Sequence, residues 1–195
     1  MSERRIILAS ASPRRRELLS LTGLPFTVDP GDYEENLTPS ASPRSLARRL
    51  SLGKAEAVSR RHGDALIIAA DTFIVFRGHL LGKPHTPEEA ARMLRLLSGK
   101  SHYVITGFTI LDTASGRRRS RSVETKVRFR RLSPSEIHAY VRTGEPLDKA
   151  GAYAIQGIGS LLVQEIEGDY FNVIGLPLSA LVQTLKEFGV FVLGR

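Results

Sequence analysis

The chain has 195 residues, of which 42% are hydrophobic and 25% are charged, a composition typical of a folded globular protein and unlike that of a disordered chain. It contains no cysteine, which excludes disulfide bonds, a thiolate nucleophile and zinc–thiolate sites. The net charge of +8 leaves two interpretations open: binding to nucleic acid, or a site for a small polyphosphate on a basic surface.

The first element is a short apolar run at residues 4–9, which predicts a buried strand. This run lacks the long apolar core of a secretory signal peptide. No stretch of the chain reaches the roughly 18 apolar residues of a membrane span. We therefore expect a cytoplasmic protein that does not associate with a membrane.

The helix starts are marked by a serine or threonine directly before a proline. This pair occurs at residues 12–13, 42–43, 86–87 and 133–134. A hydroxyl suits the N-cap, and proline suits the first helical position because its missing N–H would have no helical partner there. With glycines at the expected ends, the pattern predicts five helices, near residues 13–21, 43–61, 87–98 and 134–143 and between Pro177 and Gly189.

Apolar and β-branched runs between these helices predict strands. They indicate a strand at residues 65–70 that ends at Asp71, a hairpin over residues 73–81, a longer pair at residues 103–111 and 122–129, and a strand at residues 161–166. Strands and helices alternate, which predicts an α/β fold with a mixed sheet. With no repeat or long linker, we expect a single domain over residues 1–195.

Residues 10–19 (SASPRRRELL) form the first candidate site. A buried strand ends, two serines follow, and a helix begins with three arginines. Free N–H groups at a helix N-terminus, hydroxyls and guanidinium groups all bind anions. The alternative, weighted equally on these residues alone, is a well-capped helix with a solvated arginine face.

Acids and lysines near turns form the other candidates. Asp71 and Thr72 follow a buried strand, at the edge where open α/β sheets bind ligands, although an Asp there often only caps a turn. Lys54 and Lys83 stand beside glycines, but lone lysines are usually surface charges. Further acids that could bind a hard cation are Asp32, Glu34, Glu35, Glu124, Asp148 and Asp169. The arginine-rich run at residues 117–121 is interpreted as a solvated hairpin tip, because no aromatic residues interleave for base stacking.

Several of these motifs together resemble the Maf family of nucleoside triphosphate pyrophosphatases. The resemblance starts with residues 10–19 and continues in order to Pro177. The matching segments are residues 32–35 (DYEE), 54–57 (KAEA), 70–72 (ADT), 82–84 (GKP), 106–107 (TG), 123–125 (VET), 148–153 (DKAGAY), 156–157 (QG) and 175–177 (GLP). The family pattern has Asp where Glu34 stands, and it does not include the arginine run.

The resemblance implies an α/β fold shared with inosine triphosphate pyrophosphatases, with an elongated mixed sheet forming two lobes around a central cleft. It also implies a divalent cation, magnesium or manganese, and often a homodimer. The expected partner is a nucleoside triphosphate, with no stable nucleic-acid complex.

The resemblance further implies roles for particular residues. Asp71 would accept the proton of the attacking water, and Asp71 with Glu35 would hold the metal. Lys54 and Lys83 would neutralise developing charge. The substrate would be bound by Ser10, Arg14, Arg15, Thr72 and Gln156.

The family has two branches that differ near the base. Arg14, Thr72 and Gln156 match the branch that prefers thymidine and uridine triphosphates. The other branch has an aromatic residue at the position of Arg14 and prefers 7-methylguanosine triphosphate. The expected activity is therefore hydrolysis of dTTP and UTP, and of modified pyrimidine triphosphates, in clearing the nucleotide pool.

Overall fold

The computed structural model describes residues 4–33 and 42–194 of the chain. The strands in this part are β1 (Arg5–Leu8), β2 (Thr27–Val28), β3 (Ala65–Phe76), β4 (His79–Leu81), β5 (Ser101–Asp112), β6 (Arg118–Phe129) and β7 (Val163–Glu167). The α-helices are α1 (Pro13–Ser20), α2 (Pro43–Ser59), α3 (Pro87–Leu97), α4 (Pro134–Arg142), α5 (Tyr170–Ile174) and α6 (Leu178–Lys186). Short 3-10 helices lie at Glu145–Asp148, Ala150–Ala152 and Ile158–Leu162.

The helices α1 to α4 begin as the sequence predicts. In each, a hydroxyl at the N-cap accepts the backbone N–H of the residue three positions later, and proline takes the first helical position. In α4 the side chain of Glu136 also accepts the backbone N–H of Ser133, which completes a capping box. The five predicted helices are confirmed, each within two residues at its ends except for the loosely bounded α6.

Among the described residues, seven strands form one mixed sheet. The strand order is β2-β1-β3-β5-β6-β7, with β4 also paired to β3. Strand β1 is parallel to both β2 and β3, with Ile7 opposite Thr27 and Ile67, whereas β4 and β7 are antiparallel to their partners. The expected α/β class is therefore confirmed.

The prediction that a strand ends at Asp71 is wrong. Strand β3 continues through Asp71 to Phe76 without a break. The residues after Asp71 are Thr, Phe, Ile and Val, which favour extended backbone, and no glycine or proline interrupts them. The predicted turn does occur at Arg77 and Gly78, which have positive φ angles of 50° and 81°. Strand β4 then pairs back onto β3.

The chain divides into two compact units. Unit 1 comprises the residues up to Thr72, residues 106–123 and those from Gly175 onward, and unit 2 comprises residues 73–105 and 124–174. Each unit has its own buried apolar cluster. The cluster of unit 1 includes Ile7, Val58, Ile67 and Leu111, and that of unit 2 includes Ile74, Leu94, Phe129, Ile137 and Tyr153. Whether residues 1–195 behave as a single domain stays a prediction.

No helix in the described residues is both long and apolar enough to cross a membrane. The longest, α2, covers 17 residues and carries arginines, a lysine and a glutamate among its apolar positions. Its apolar residues instead pack in the core of unit 1.

Candidate active site

The N-terminus of α1 gathers hydroxyl groups within unit 1. Ser10 follows β1 and is buried, and its Oγ accepts the backbone N–H of Ser12 at 3.2 Å. Ser12 is the N-cap of α1, and its Oγ accepts the backbone N–H of Arg15 at 3.4 Å. The strand-to-helix turn therefore has a defined backbone, and Arg14 occupies the first turn of the helix that it opens.

Arg15 is the centre of a hydrogen-bond network. Its three guanidinium nitrogens donate to the carbonyl of Gly175 at 3.0 Å, to Ser10 Oγ at 3.4 Å and to Thr72 Oγ1 at 3.1 Å. The Thr72 hydroxyl also shares a hydrogen bond of 3.0 Å with the hydroxyl of Thr106. Arg15 thus fixes Ser10 and Thr72, two predicted substrate-binding residues, relative to each other.

Asp71, which precedes Thr72 in β3, forms an ion pair with Lys54. The ammonium group of Lys54, in the middle of α2, contacts Oδ1 of Asp71 in the middle of β3. Both side chains are largely buried, at 17% exposed for Lys54 and 9% for Asp71. Since buried charges are found paired, each residue requires the other. Two predicted catalytic residues are therefore in direct contact.

The turn of α2 that carries Lys54 is in contact with Tyr33, a residue of the matching segment 32–35. The ring of Tyr33 packs so closely against Gly53 that a Cβ atom at that position would overlap the ring. Only glycine therefore fits beside Tyr33. Glu35, the predicted second metal ligand, and Glu34 lie outside the described residues.

Lys83 belongs to unit 2, in the loop after β4. The preceding carbonyl, of Gly82, accepts the backbone N–H of Gly151 at 2.9 Å, and the following residue, Pro84, is buried. Gly151 has a positive φ of 67°, and a Cβ there would come within 2.6 Å of Ile74. The resemblance motifs around Lys83 and Gly151 thus hold one another in place, and the Lys83 side chain is exposed.

Gln156 is an exposed residue of unit 2 between two fixed segments. Residues 151–155 before it are buried, and Gly157 after it has a positive φ of 81°. The Tyr153 ring makes edge contacts with Phe129 and His102 in the core of unit 2. The side chain of Gln156 is therefore presented from a well-anchored piece of backbone.

Two of the other predicted acids, Asp169 and Asp148, have structural contacts. The carboxylate of Asp169 accepts the backbone N–H of Asn172 at 3.1 Å, and its carbonyl accepts the Thr125 hydroxyl at 3.0 Å. Asp148 pairs with the neighbouring Lys149. In the described part of the chain, no group of three or more His, Asp or Glu side chains is arranged to hold a metal ion.

A magnesium site does not require such a group. Mg²⁺ is commonly held by one or two carboxylates together with substrate phosphates and water. The carboxylate of Asp71 is a hard oxygen donor of the kind that fits one of those positions.

The arginine-rich run is exposed, as predicted, but most of it belongs to β6 rather than to the hairpin tip, and its side chains are paired. The tight turn lies before it, since the Asp112 carbonyl accepts the N–H of Gly116, and β6 begins at Arg118. Alternate arginines of the run point to one carboxylate, that of Glu187, at 3.9, 2.9 and 2.5 Å from Arg117, Arg119 and Arg121. Arg118, between them, pairs with Glu56 at 2.8 Å. The sequence missed these partners because they lie 62 to 70 positions away along the chain.

Comparison with known proteins agrees with the motif order. A family model described as "Maf-like protein" matches residues 5–188. The dTTP/UTP pyrophosphatase of Moorella thermoacetica is 52% identical over 191 residues, covering 98% of both chains. That of Methanosarcina mazei is 50% identical over 190 residues, covering 97% of this chain and 96% of the relative. The solved Ham1 protein of Staphylococcus aureus, at 13% identity, has a TM-score of 0.47 over 64% of this chain and 71% of its own.

The molecule is thus a mixed α/β protein in which consecutive residues of β3, Asp71 and Thr72, belong to a buried Lys–Asp pair and to an arginine-centred hydroxyl network. The chain belongs to the Maf family.

Proposed function

We propose that this protein hydrolyses dTTP and UTP to the monophosphate and pyrophosphate. Two observations carry this proposal: the buried ion pair of Asp71 with Lys54, and the network in which Arg15 joins Ser10 to Thr72, the residue after Asp71 in β3. Phosphoanhydride hydrolysis needs an acidic group that can accept a proton from water and a cluster of groups that bind the phosphates. The name dTTP/UTP pyrophosphatase, carried by relatives 47–52% identical over nearly the whole chain, supports it.

The phosphate chain of the substrate would lie at the N-terminus of α1. The helix N-terminus carries partial positive charge, and Ser10 and Arg14 add a hydroxyl and a guanidinium. Arg15, bonded to Ser10 and Thr72, keeps these donors in place and so reduces the reorganisation that binding would otherwise require.

The chemical step would be attack of water on the α-phosphorus. A bond forms from the water oxygen to phosphorus, the bond to the oxygen bridging to the β-phosphorus breaks, and pyrophosphate leaves. The water proton goes to the carboxylate of Asp71, a transfer that typically accelerates hydrolysis by ~10²–10⁴-fold. Lys54, in contact with that carboxylate, and Lys83 are assigned to the negative charge that develops on the phosphates.

Magnesium or manganese, held by Asp71 and Glu35, would supply charge neutralisation between the acids and the phosphates. With an acid so close to its anionic substrate, we expect excess chelator to stop hydrolysis and added Mg²⁺ or Mn²⁺ to restore it. Pyrophosphate release in the presence and absence of chelator measures this. Full activity in excess chelator would contradict the metal assignment.

Base selection is assigned to Gln156, and Arg14 and Thr72 are the other two positions at which the family's branches differ. The Gln156 amide has one acceptor and two donors, so it can pair with the alternating carbonyl and N–H edge of uracil or thymine. Cytosine presents an amino group and an unprotonated nitrogen at the same edge. A site that hydrogen-bonds its substrate rejects such an analogue strongly, because buried polar groups are left unpaired.

A side-by-side panel of dTTP, UTP, CTP, ATP and 7-methyl-GTP with magnesium, assayed for pyrophosphate, tests the function. We expect dTTP and UTP to be cleaved much faster than the others. CTP or 7-methyl-GTP as the best substrate would overturn the branch assignment while leaving pyrophosphatase activity intact. Cleavage of no triphosphate, together with tight, strongly salt-dependent binding of RNA or DNA, would instead favour a nucleic-acid-binding protein.

A further inference from the structure

Glu145 holds the backbone that follows Gln156. It is the first residue of the 3-10 helix Glu145–Asp148. Its Oε2 accepts the backbone N–H of Ile158 at 3.0 Å, and its Oε1 accepts the backbone N–H of Gly159 at 2.9 Å. Both oxygens thus bind a segment 13 to 14 residues further along the chain.

These two N–H groups open the 3-10 helix Ile158–Leu162, where the first donors have no helical acceptor. The residue at the N-cap is Gly157, which has no side chain and makes no capping bond. Glu145, although distant in sequence, therefore caps this 3-10 helix: its carboxylate accepts the first N–H groups, as the side chain of an N-cap residue normally does.

The space around Gly157 is shaped for this carboxylate. Gly157 has a φ of 81°, and a Cβ at this position would come within 2.8 Å of Glu145 Oε2. The backbone can therefore approach the carboxylate only because residue 157 is glycine.

Tyr140 extends the same network to the other side of Gln156. Its hydroxyl donates to Glu145 Oε1 at 2.8 Å and accepts the backbone N–H of Ala154 at 3.3 Å. Burial, followed by the hydrogen bond to Glu145, raises the pKa of the Tyr140 phenol, so it stays a proton donor to the carboxylate. One connected set of hydrogen bonds thus fixes the backbone two residues before Gln156 and two residues after it.

We propose that Glu145 is a positioning residue for base selection, which fixes the backbone from which Gln156 presents its amide to the pyrimidine. This inference rests on the proposed function and on the base-reading role of Gln156. The Gln156 amide can distinguish the imide edge of uracil from the amidine edge of cytosine only if its acceptor and donor stay opposite the matching groups of the base. Release of the loop would therefore reduce selectivity before it affected the bond-breaking step, in which Glu145 has no part.

Glu145→Gln tests this with little change in shape, because it replaces one acceptor oxygen by an NH₂ group that faces a backbone N–H. We expect the KM for UTP to rise about tenfold and the preference for UTP over CTP in kcat/KM to fall about tenfold, with kcat for UTP kept within about threefold. Unchanged KM and preference in the folded variant would overturn the proposal.

Gly157→Ala tests the same contact from the other side. A matched control is Gly78→Ala, since Gly78 has the same φ of 81° but no atom within 4 Å of an added Cβ. Both variants place a Cβ at a positive φ, and only Gly157→Ala pushes against Glu145. Because the ψ of −153° at Gly157 adds strain of its own, the result for Gly157→Ala is interpreted together with that for Glu145→Gln. We expect a loss of UTP preference in Gly157→Ala and not in Gly78→Ala. Equal effects in both would contradict the proposal.

Failure of the proposed function, of the role of Gln156 and of the role of Glu145 would give different results. A wild-type protein that cleaves neither dTTP nor UTP refutes the proposed function, and Gln156→Ala that keeps the UTP preference refutes the role of Gln156. Loss of preference in Gln156→Ala but not in Glu145→Gln refutes the present inference alone. If Glu145→Gln does not fold, Tyr140→Phe replaces it: removal of one donor to the same carboxylate should give a smaller loss in the same direction, and an unchanged preference would overturn the proposal.

Discussion

At the scale of single residues, two buried aspartates of unit 1 differ in what surrounds them. Asp71 pairs with Lys54, whereas Asp112 pairs with Arg4 and accepts hydrogen bonds from the backbone N–H of Ala114 and the hydroxyl of Ser115. Asp71 is 6% exposed and Asp112 is 7% exposed. The two sites are therefore matched in burial and pairing but not in their proposed role.

We predict that Asp71→Asn lowers kcat at least ~10²-fold while the fold survives, because the amide keeps the shape of the carboxylate but cannot accept the water proton. Asp112→Asn serves as the control, with a comparable loss of a buried ion pair and hydrolysis near the wild-type rate. Kinetics and thermal unfolding of both variants measure this. Near-wild-type turnover in a folded Asp71→Asn protein would end the assignment of Asp71 as the base.

We also predict that Lys83→Ala and Arg14→Ala each lower kcat strongly, because both cations are assigned to charge that develops during phosphoryl transfer. Lys100→Ala in unit 2 is a suitable control, since Lys100 bonds to the carbonyl of Leu96 at the end of α3. Steady-state kinetics separate the two parameters. A rise in KM at unchanged kcat would show that these side chains bind the ground state and the transition state equally.

Single residues were predicted from the sequence unevenly. Lys54 and Asp71 were each assigned a catalytic role by resemblance, but their contact with each other was not predicted. Thr106 and Gly175 lie in resemblance motifs, but their bonds to Thr72 and Arg15 were not predicted. Glu145 was missed because its partners are backbone N–H groups. Every residue except proline has such a group, so no residue type in the sequence marks the contact.

At the scale of elements, helix starts were predicted better than strand ends. A helix start depends on a local hydroxyl and proline, which a few neighbouring residues specify. A strand end depends on where partner strands stop, so β3 passed through Asp71 although an apolar run ended there. Strand β2 has two residues and α5 has five, too short for a periodic pattern to appear.

The arginine run gives a prediction about an element. Replacing Arg117, Arg118, Arg119 and Arg121 by serine should leave kcat and KM within about twofold of wild type, since these side chains have no assigned role in the site. The variant should have a slightly lower Tm, because the strand start loses its ion pairs to Glu187 and Glu56.

Salt dependence identifies the cause of that Tm change. Ion pairs between exposed side chains are screened, so the difference from wild type should shrink as salt is added. Glu187→Gln removes the carboxylate that three of the arginines share and should behave in the same way. A large loss of hydrolysis in the arginine variant would show that the run takes part in the reaction.

At the scale of the whole molecule, acid stability depends on a histidine in the core of unit 2. His102 is 1% exposed, stacks edge-on with Phe129 and Tyr153, and shares a 2.7 Å hydrogen bond with the Tyr153 hydroxyl. Burial lowers the pKa of His102 from 6.5 to about 4. The native state therefore holds this imidazole neutral over a pH range in which the unfolded chain would protonate it.

The consequence for stability has a definite sign. Between pH 6.5 and about 4 the unfolded state binds more protons at this residue than the folded state does, so the free energy of unfolding falls as the pH falls. The contribution is complete above pH 6.5 and levels off below about pH 4. The lowered pKa corresponds to a loss on the order of 3 kcal/mol across this window.

We predict that His102→Gln, which keeps a hydrogen-bonding group for Tyr153 but does not titrate, unfolds with a flatter pH dependence than wild type between pH 6.5 and 4. Its stability at pH 7.5 should be lower, because the amide packs less well among the rings. Denaturant unfolding at several pH values measures the slope. His138→Gln is the control, since His138 is an exposed residue of α4 and its loss should leave the wild-type slope in place. Equal slopes for wild type and His102→Gln would show that other groups, and not this buried imidazole, set the acid limit of the fold.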